Sequence, residues 1–326
     1  MKRALSLLLL AASSVASAGE DAQLREQAGK LFGKIESVAA ARVDSPQARL
    51  GRALFWDERV SLDGKTACAS CHPANDFGAD RRRFSPDARG ELTSRNSPTI
   101  FNAMALPGLR WLSDRKTGAD QAEGSLTGSL GFKSKDDAVA KLVELKYHDQ
   151  FKAAYPGEAS ALNAKNYGRA LQAYQATLVT PSAFDAFLAG NDRAMTERQK
   201  AGLRAFTATG CAACHNGPFV GGTQLQKFGL KKDYWTETGA AKHDPGRFSI
   251  TKKDEDRYVF RVPSLRNVAR TAPYFHDGSV DTLDRAVRVM ATVQLGRSLD
   301  DDTVSLITSF LEALTGEVPA HYAPPR

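Results

Sequence analysis

Cys68-Ala69-Ser70-Cys71-His72 (CASCH) recurs as Cys211-Ala212-Ala213-Cys214-His215 (CAACH), and the two pentapeptides use all 4 cysteines of the 326-residue chain. Cysteines two residues apart also suit disulfides, a redox-active dithiol or half of a four-cysteine zinc site. None of these explains a histidine directly after the second cysteine, twice. The pattern is that of c-type haem attachment, in which two thiols add to the vinyl groups and the next imidazole reaches the iron. The reading is two covalent haems, one on Cys68 and Cys71, the other on Cys211 and Cys214, with His72 and His215 as proximal ligands. Two irons allow electrons to be stored or passed within one chain.

Outward from the motifs, ARLGRALFWDERVSLDGKTACASCH and RQKAGLRAFTATGCAACH share a plan. Each reads as a short amphipathic helix with an Arg-Ala pair near a Phe, then a Gly-containing loop into the cysteines, which suggests duplication. Helical periodicity recurs in KDDAVAKLVEL, with Val139, Leu142 and Val143 on one face, and in NYGRALQAYQATLVTP, with Tyr167, Leu171 and Tyr174. DDTVSLITSFLEALTG has acidic residues at its start, Val304, Ile307, Leu311 and Leu314 in register, and Gly316 at its end. Alternating patterns are scarce. The expected fold is mainly α: two cytochrome-c-type haem domains with long loops, each packed around its haem. The junction falls in VTPSAFDAFLAGNDRAMTERQKAG, dividing the chain into 19–185 and 186–326, with Thr196 and Gln199 forming a capping box on the helix into the second motif.

The chain opens MKRALSLLLLAASSVASAGE, with two positive charges, an apolar run too short for a membrane span, and Ala16-Ser17-Ala18 as a small-x-small cleavage site. Residues 1–18 read as a signal peptide of a periplasmic protein. Its removal takes away Lys2 and Arg3 and lowers the formal charge of +7 by two, which is mildly basic. Arg81-Arg82-Arg83 is the tightest basic cluster and reads as a solvated loop; no nucleic-acid motif and no membrane span are found. With 25% charged and 42% apolar residues the composition is that of a globular protein.

Two haem motifs in this order, followed by Arg95-Asn96-Ser97-Pro98-Thr99, Trp111, Gln121 and VPSLRNVARTAPYFHDGSVDTLDRAV, closely resemble the bacterial dihaem cytochrome c peroxidase family, which includes the MauG branch. The resemblance implies calcium at the domain interface, held by the Asn96 side chain and the Thr271 and Pro273 carbonyls; oxygen-only ligation suits that ion. It implies Met290 as second axial ligand of the C-terminal haem, which raises the potential and makes this haem the electron store. Trp111 falls where the family keeps an electron relay between the haems, and Gln121 matches a glutamine of the peroxide pocket. His276 resembles a structural or propionate-binding residue, whereas His148, His243 and His321 match nothing and are expected at the surface.

The chain departs from the family at two places. Where many members close the N-terminal haem with a second histidine, the matched position is Ala88, and residues 73–94 contain no histidine. Ten residues after Gln121, where the family has an acid/base glutamate, stands Gly131, and Leu112 replaces the acid after the tryptophan. Asp114 and Glu123 are the candidate replacements. The resemblance therefore implies a hydrogen-peroxide reductase whose N-terminal haem is open without prior reduction, fed by a small cytochrome c or cupredoxin and compatible with a homodimer. A MauG-like enzyme oxidising residues of a partner protein is the second reading; a non-enzymatic electron carrier, which would close both irons, is the third.

Overall fold

The structure is a computed structural model and describes residues 19–325, so the expected signal segment lies outside it. It is mainly α, and its named strands, Leu225–Lys227 and Val259–Arg261, form one antiparallel ribbon with Leu225 opposite Arg261. Among the described residues no helix is long and apolar enough to cross a membrane.

One core is built on the crossing of Pro46–Trp56 with Ala164–Gln175 and of the latter with Gly118–Thr127. Ser45 caps the first of these by accepting from Ala48 N at 3.2 Å, and Pro46 stands at the first helical position, where its missing N–H costs nothing. Tyr167, Leu171 and Tyr174 face inward, as their spacing predicts, and each is at most 2% exposed. A second core forms where Glu197–Thr209 crosses Asp301–Glu312. Thr196 accepts from Gln199 N at 3.2 Å while Thr196 N donates to Gln199 Oε1 at 2.9 Å, so the expected capping box is present.

The two crossings share a device. A Cβ built on Gly51 would lie 2.0 Å from Ala170 O, and one built on Gly202 would lie 2.0 Å from Leu306 O. Each glycine precedes a core phenylalanine, Phe55 or Phe206, by four residues, placing both on one helix face. The weak likeness of the two pre-motif stretches is therefore a repeated helix-crossing geometry.

The termini cross between the cores. The helix running through residue 31 puts Leu24, Ala28 and Phe32 into the second core, where Asp21 pairs with the buried Lys200 at 2.6 Å. At the other end, Val318 and Tyr322 pack into the first. Between the cores, Thr180 accepts from the side chains of Asn102 at 2.8 Å and Asn267 at 2.9 Å, all three fully or nearly fully buried. Arg266 pairs with Asp185 at 2.5 Å in the same region.

Two local expectations are corrected. The inward face of Lys135–Glu144 is Ala138 and Leu142, while Val143 is 44% exposed, because the neighbouring helices cover only a narrow stripe. Gly316 is no helix cap, since its helix ends at Glu312; it is required by close approach, a Cβ there lying 2.3 Å from Thr180 O.

Candidate haem sites

The first motif winds into a single helical turn, Cys68–Cys71, on the edge of the first core. The turn is set by Ser70, whose Oγ accepts from Ala67 N at 3.0 Å, and by His72 N donating to Cys68 O at 3.1 Å. Phe77 (φ +54°) and Gly78 (φ +68°) then reverse the chain, so that Gly78 O stands 2.8 Å from His72 Nδ1. With Nδ1–H donating there, Nε2 is the nitrogen left for a metal. Burial lowers the His72 pKa and pushes the Cys68 thiol up to about 12. The imidazole is therefore neutral, the form that ligates. Tyr322 reaches this site from the C-terminal tail: its hydroxyl donates to His72 O, and its ring lies 4.9 Å from Phe101 and 5.3 Å from Trp56.

The second motif is a 3-10 turn, Cys211–Ala213, entered through Gly210 at φ +100°. Cys211, Cys214, His215 and Met290 line one cavity of about 250 Å³. Burial holds His215 down at about 4. Its Nδ1 has no hydrogen bond of good geometry, although the Pro263 and Val220 carbonyls lie beside it. Gly221 (φ +110°) makes room for the ring, since a Cβ there would come within 3.0 Å of His215 Nδ1. Met290 ends the helix Leu283–Met290 at its junction with a π-helical turn, Ala291–Leu295, a local widening often found at functional sites. These residues fit a covalently held haem: two thiols, a neutral buried imidazole and a thioether converge on one largely apolar cavity, and soft sulfur and imidazole donors suit haem iron.

The same cavity is lined by Trp111, Asn96, Thr271 and Pro273, and by His276. Trp111 Nε1 donates to Asn96 O at 2.8 Å, fixing the indole against that wall. Asn96 gives its amide hydrogen to Arg82 O at 3.0 Å, and neither its Oδ1 nor the Thr271 and Pro273 carbonyls accept a hydrogen bond among the described residues. His276, 2% exposed, stacks on Phe260 at 4.2 Å.

The acid/base candidates lie apart from that cavity. Gln121 is half-buried within Gly118–Thr127, Glu123 is engaged by Lys135, and Asp114 pairs with Arg110 at 3.0 Å while keeping Oδ1 buried and unpartnered. Ala88 and Gly131 prove to be neighbours. Ala88 N donates to Ser129 O at 2.9 Å, and a Cβ built on Gly131 (φ +81°) would stand 3.2 Å from Ala88 Cβ and 3.1 Å from Leu62 Cβ. Ala88 and Gly131 are thus a single spatial change, whereas Leu112, which also departs from the family pattern, is buried in a separate cluster with Phe228 and Tyr234.

His148 and His243 are exposed as expected, but His321 is half-buried and its Nε2 lies 2.9 Å from Thr177 Oγ1, because the tail folds back onto the first core. Tyr322 and Arg261 are not among the residues expected at these sites. The only signal for the latter was a charged residue inside the apolar run VFRV.

The model of the family described as di-haem cytochrome c peroxidase matches residues 45–193. The chain is 40% identical over 321 residues to the cytochrome c551 peroxidase of Pseudomonas aeruginosa, covering 96% of this chain and 92% of that protein. It is 35% identical over 325 residues to the cytochrome c551 peroxidase of Nitrosomonas europaea, covering 98% and 93%. Among solved structures it resembles a MauG-like protein associated with microbial copper homeostasis, with a TM-score of 0.74 and 27% identity over 89% of this chain and 96% of that one. Likeness along nearly the whole of both partners, together with two haem-attachment motifs on a mainly α fold, means that the chain belongs to the di-haem cytochrome c peroxidase family.

Proposed function

We propose that the protein is a periplasmic peroxidase that reduces hydrogen peroxide to water with two electrons and two protons, drawing the electrons from a small cytochrome c or cupredoxin. The observation that carries the reading is the unequal surroundings of the two motifs. Met290 shares a cavity with His215, whereas the position at which relatives close the first haem is Ala88, packed beside Gly131. Bound haem supplies the redox chemistry, with peroxide reduced at the first site and an electron held in reserve at the second.

The chain's own residues prepare that division. The bond from His72 Nδ1 to Gly78 O orients the proximal imidazole and raises its basicity. Trp111, pinned through its indole N–H, serves as the relay between the sites. Gln121 positions peroxide by its side-chain amide. Asp114 is the better proton carrier of the two acids, because its Oδ1 is unpaired while Glu123 is held by Lys135. Calcium binds at Asn96 Oδ1 and the Thr271 and Pro273 carbonyls, which belong to residues lining one cavity and accept no hydrogen bond among the described residues. Residues 1–18 direct export, and the haem domains divide near residue 185, each terminus bracing the opposite core.

The MauG-like alternative, oxidation of a partner protein, is favoured by the missing glutamate at Gly131; Met290 favours peroxide reduction. Electron paramagnetic resonance of the resting diferric protein tests the open first site. A high-spin ferric component and peroxide turnover without prior reduction are expected. Two low-spin signals, with reactivity only after one-electron reduction, would overturn it.

A further inference from the structure

We infer that Arg261 is the carboxylate anchor of the C-terminal cavity, pairing through its free guanidinium edge with a propionate of the haem held there. The inference rests on the two-haem reading and assigns a residue that neither motif contains.

Arg261 ends the strand Val259–Arg261, is 7% exposed and lines the cavity that holds His215 and Met290. One side of the residue is spent on backbone: its N–H donates to Trp111 O at 2.7 Å and its Nε to Arg110 O at 3.0 Å. Among the described residues, Nη1 is buried with no partner. The other buried arginine among the described residues is matched, Arg266 pairing with Asp185 at 2.5 Å, and the part-buried Arg95 pairs with Asp244 at 2.6 Å. No carboxylate among the described residues pairs with Arg261, and burial alone pulls its pKa down to about 10. A buried guanidinium without an anion is costly, so the fold retains it where an anion arrives later. Haem carries two carboxylates, and the planar guanidinium fork suits one of them. His276, next to Arg261 through Phe260, adds a second buried polar atom, Nε2, with no partner among the described residues on the same cavity wall.

The consequence goes beyond retention. One guanidinium group would hold both the cofactor and the backbone that carries Trp111, so the relay and the electron-storing haem would share a fixed point. Its positive charge also favours the ferrous state of that haem.

The test is spectroelectrochemical titration of the holoprotein and of Arg261→Gln, after haem is counted by the pyridine haemochrome assay. A wild-type count other than two defeats the two-haem reading itself. With two haems present, Arg261→Gln should shift the C-terminal couple about tenfold toward ferric, about 59 mV lower for one electron. Arg261→Lys, which keeps the charge, should recover most of that shift. An unchanged potential in the Gln variant would overturn the inference, as would a wild-type potential that follows chloride concentration, which would assign the site to an exchangeable anion. Should the Gln variant fail to retain haem, redox-difference infrared spectra with carboxyl-labelled haem decide: the propionate bands must move between wild type and Arg261→Lys, and identical bands refute the pairing.

Discussion

The two attachment motifs differ by one residue, Ser70 against Ala213, yet they are set in opposite ways. The first lies on a well-filled helical core, its histidine tethered through Nδ1 to Gly78 O and its carbonyl capped by Tyr322. The second opens onto a cavity where its histidine has no good Nδ1 partner and a methionine 75 positions later stands on the lining. An identical covalent attachment can thus serve two tasks, because the distal side and the outer hydrogen bonds are supplied by distant segments. A tethered imidazole is the more basic ligand, and a thioether partner raises the potential.

The largest effect should come from removing attachment. Cys211→Ala should yield a chain with one covalent haem and Cys68→Ala the complementary one, read by mass spectrometry; loss of both haems from either variant would mean that the sites are not independent. Next, Met290→Leu should open the C-terminal haem and lower its potential by about 100 mV, within the roughly 0.8 V that axial ligands span. An unchanged potential and ligand-field spectrum would make Met290 packing alone and erase the asymmetry.

The ion pair between Arg95, which follows the first motif, and Asp244, which follows the second, ties the two regions together. Although burial would raise the Asp244 carboxyl pKa, Arg95 holds it below the usual carboxylate range. Its contribution to stability is therefore full above the unfolded carboxyl's pKa and lost as pH falls through the depressed folded value. Asp244→Asn should cost about 3 kcal/mol at neutral pH, and denaturant titrations should find the deficit shrinking only in acid. Last, Tyr322→Phe should cost about 1 kcal/mol and perturb only the N-terminal haem spectrum; an equal change at the C-terminal haem would show that the tail does not discriminate between the sites.

Much of this was legible without coordinates. Spacing alone named four cysteines and two histidines, and periodicity found the faces of Ala164–Gln175 and Asp301–Glu312. The Thr196–Gln199 box was readable because a cap involves neighbours three residues apart. Val143 and Gly316 were misread for the same reason in reverse: one is exposed and the other pressed against Thr180 O by what lies across from them. His321 read as surface, and its burial depends on a tail that folds across the opposite core.

The two attachment motifs, the histidines read as proximal ligands and the helical framework are legible in the chain alone, because motif spacing, capping and amphipathic period are local properties of a few adjacent residues. That Met290 lines the His215 cavity, that Ala88 and Gly131 are neighbours, that the termini trade cores and that Arg261 is buried without a counter-ion among the described residues emerge only once the chain is folded. Each of these depends on what stands opposite a side chain, and that is set by long-range packing, which no local pattern encodes.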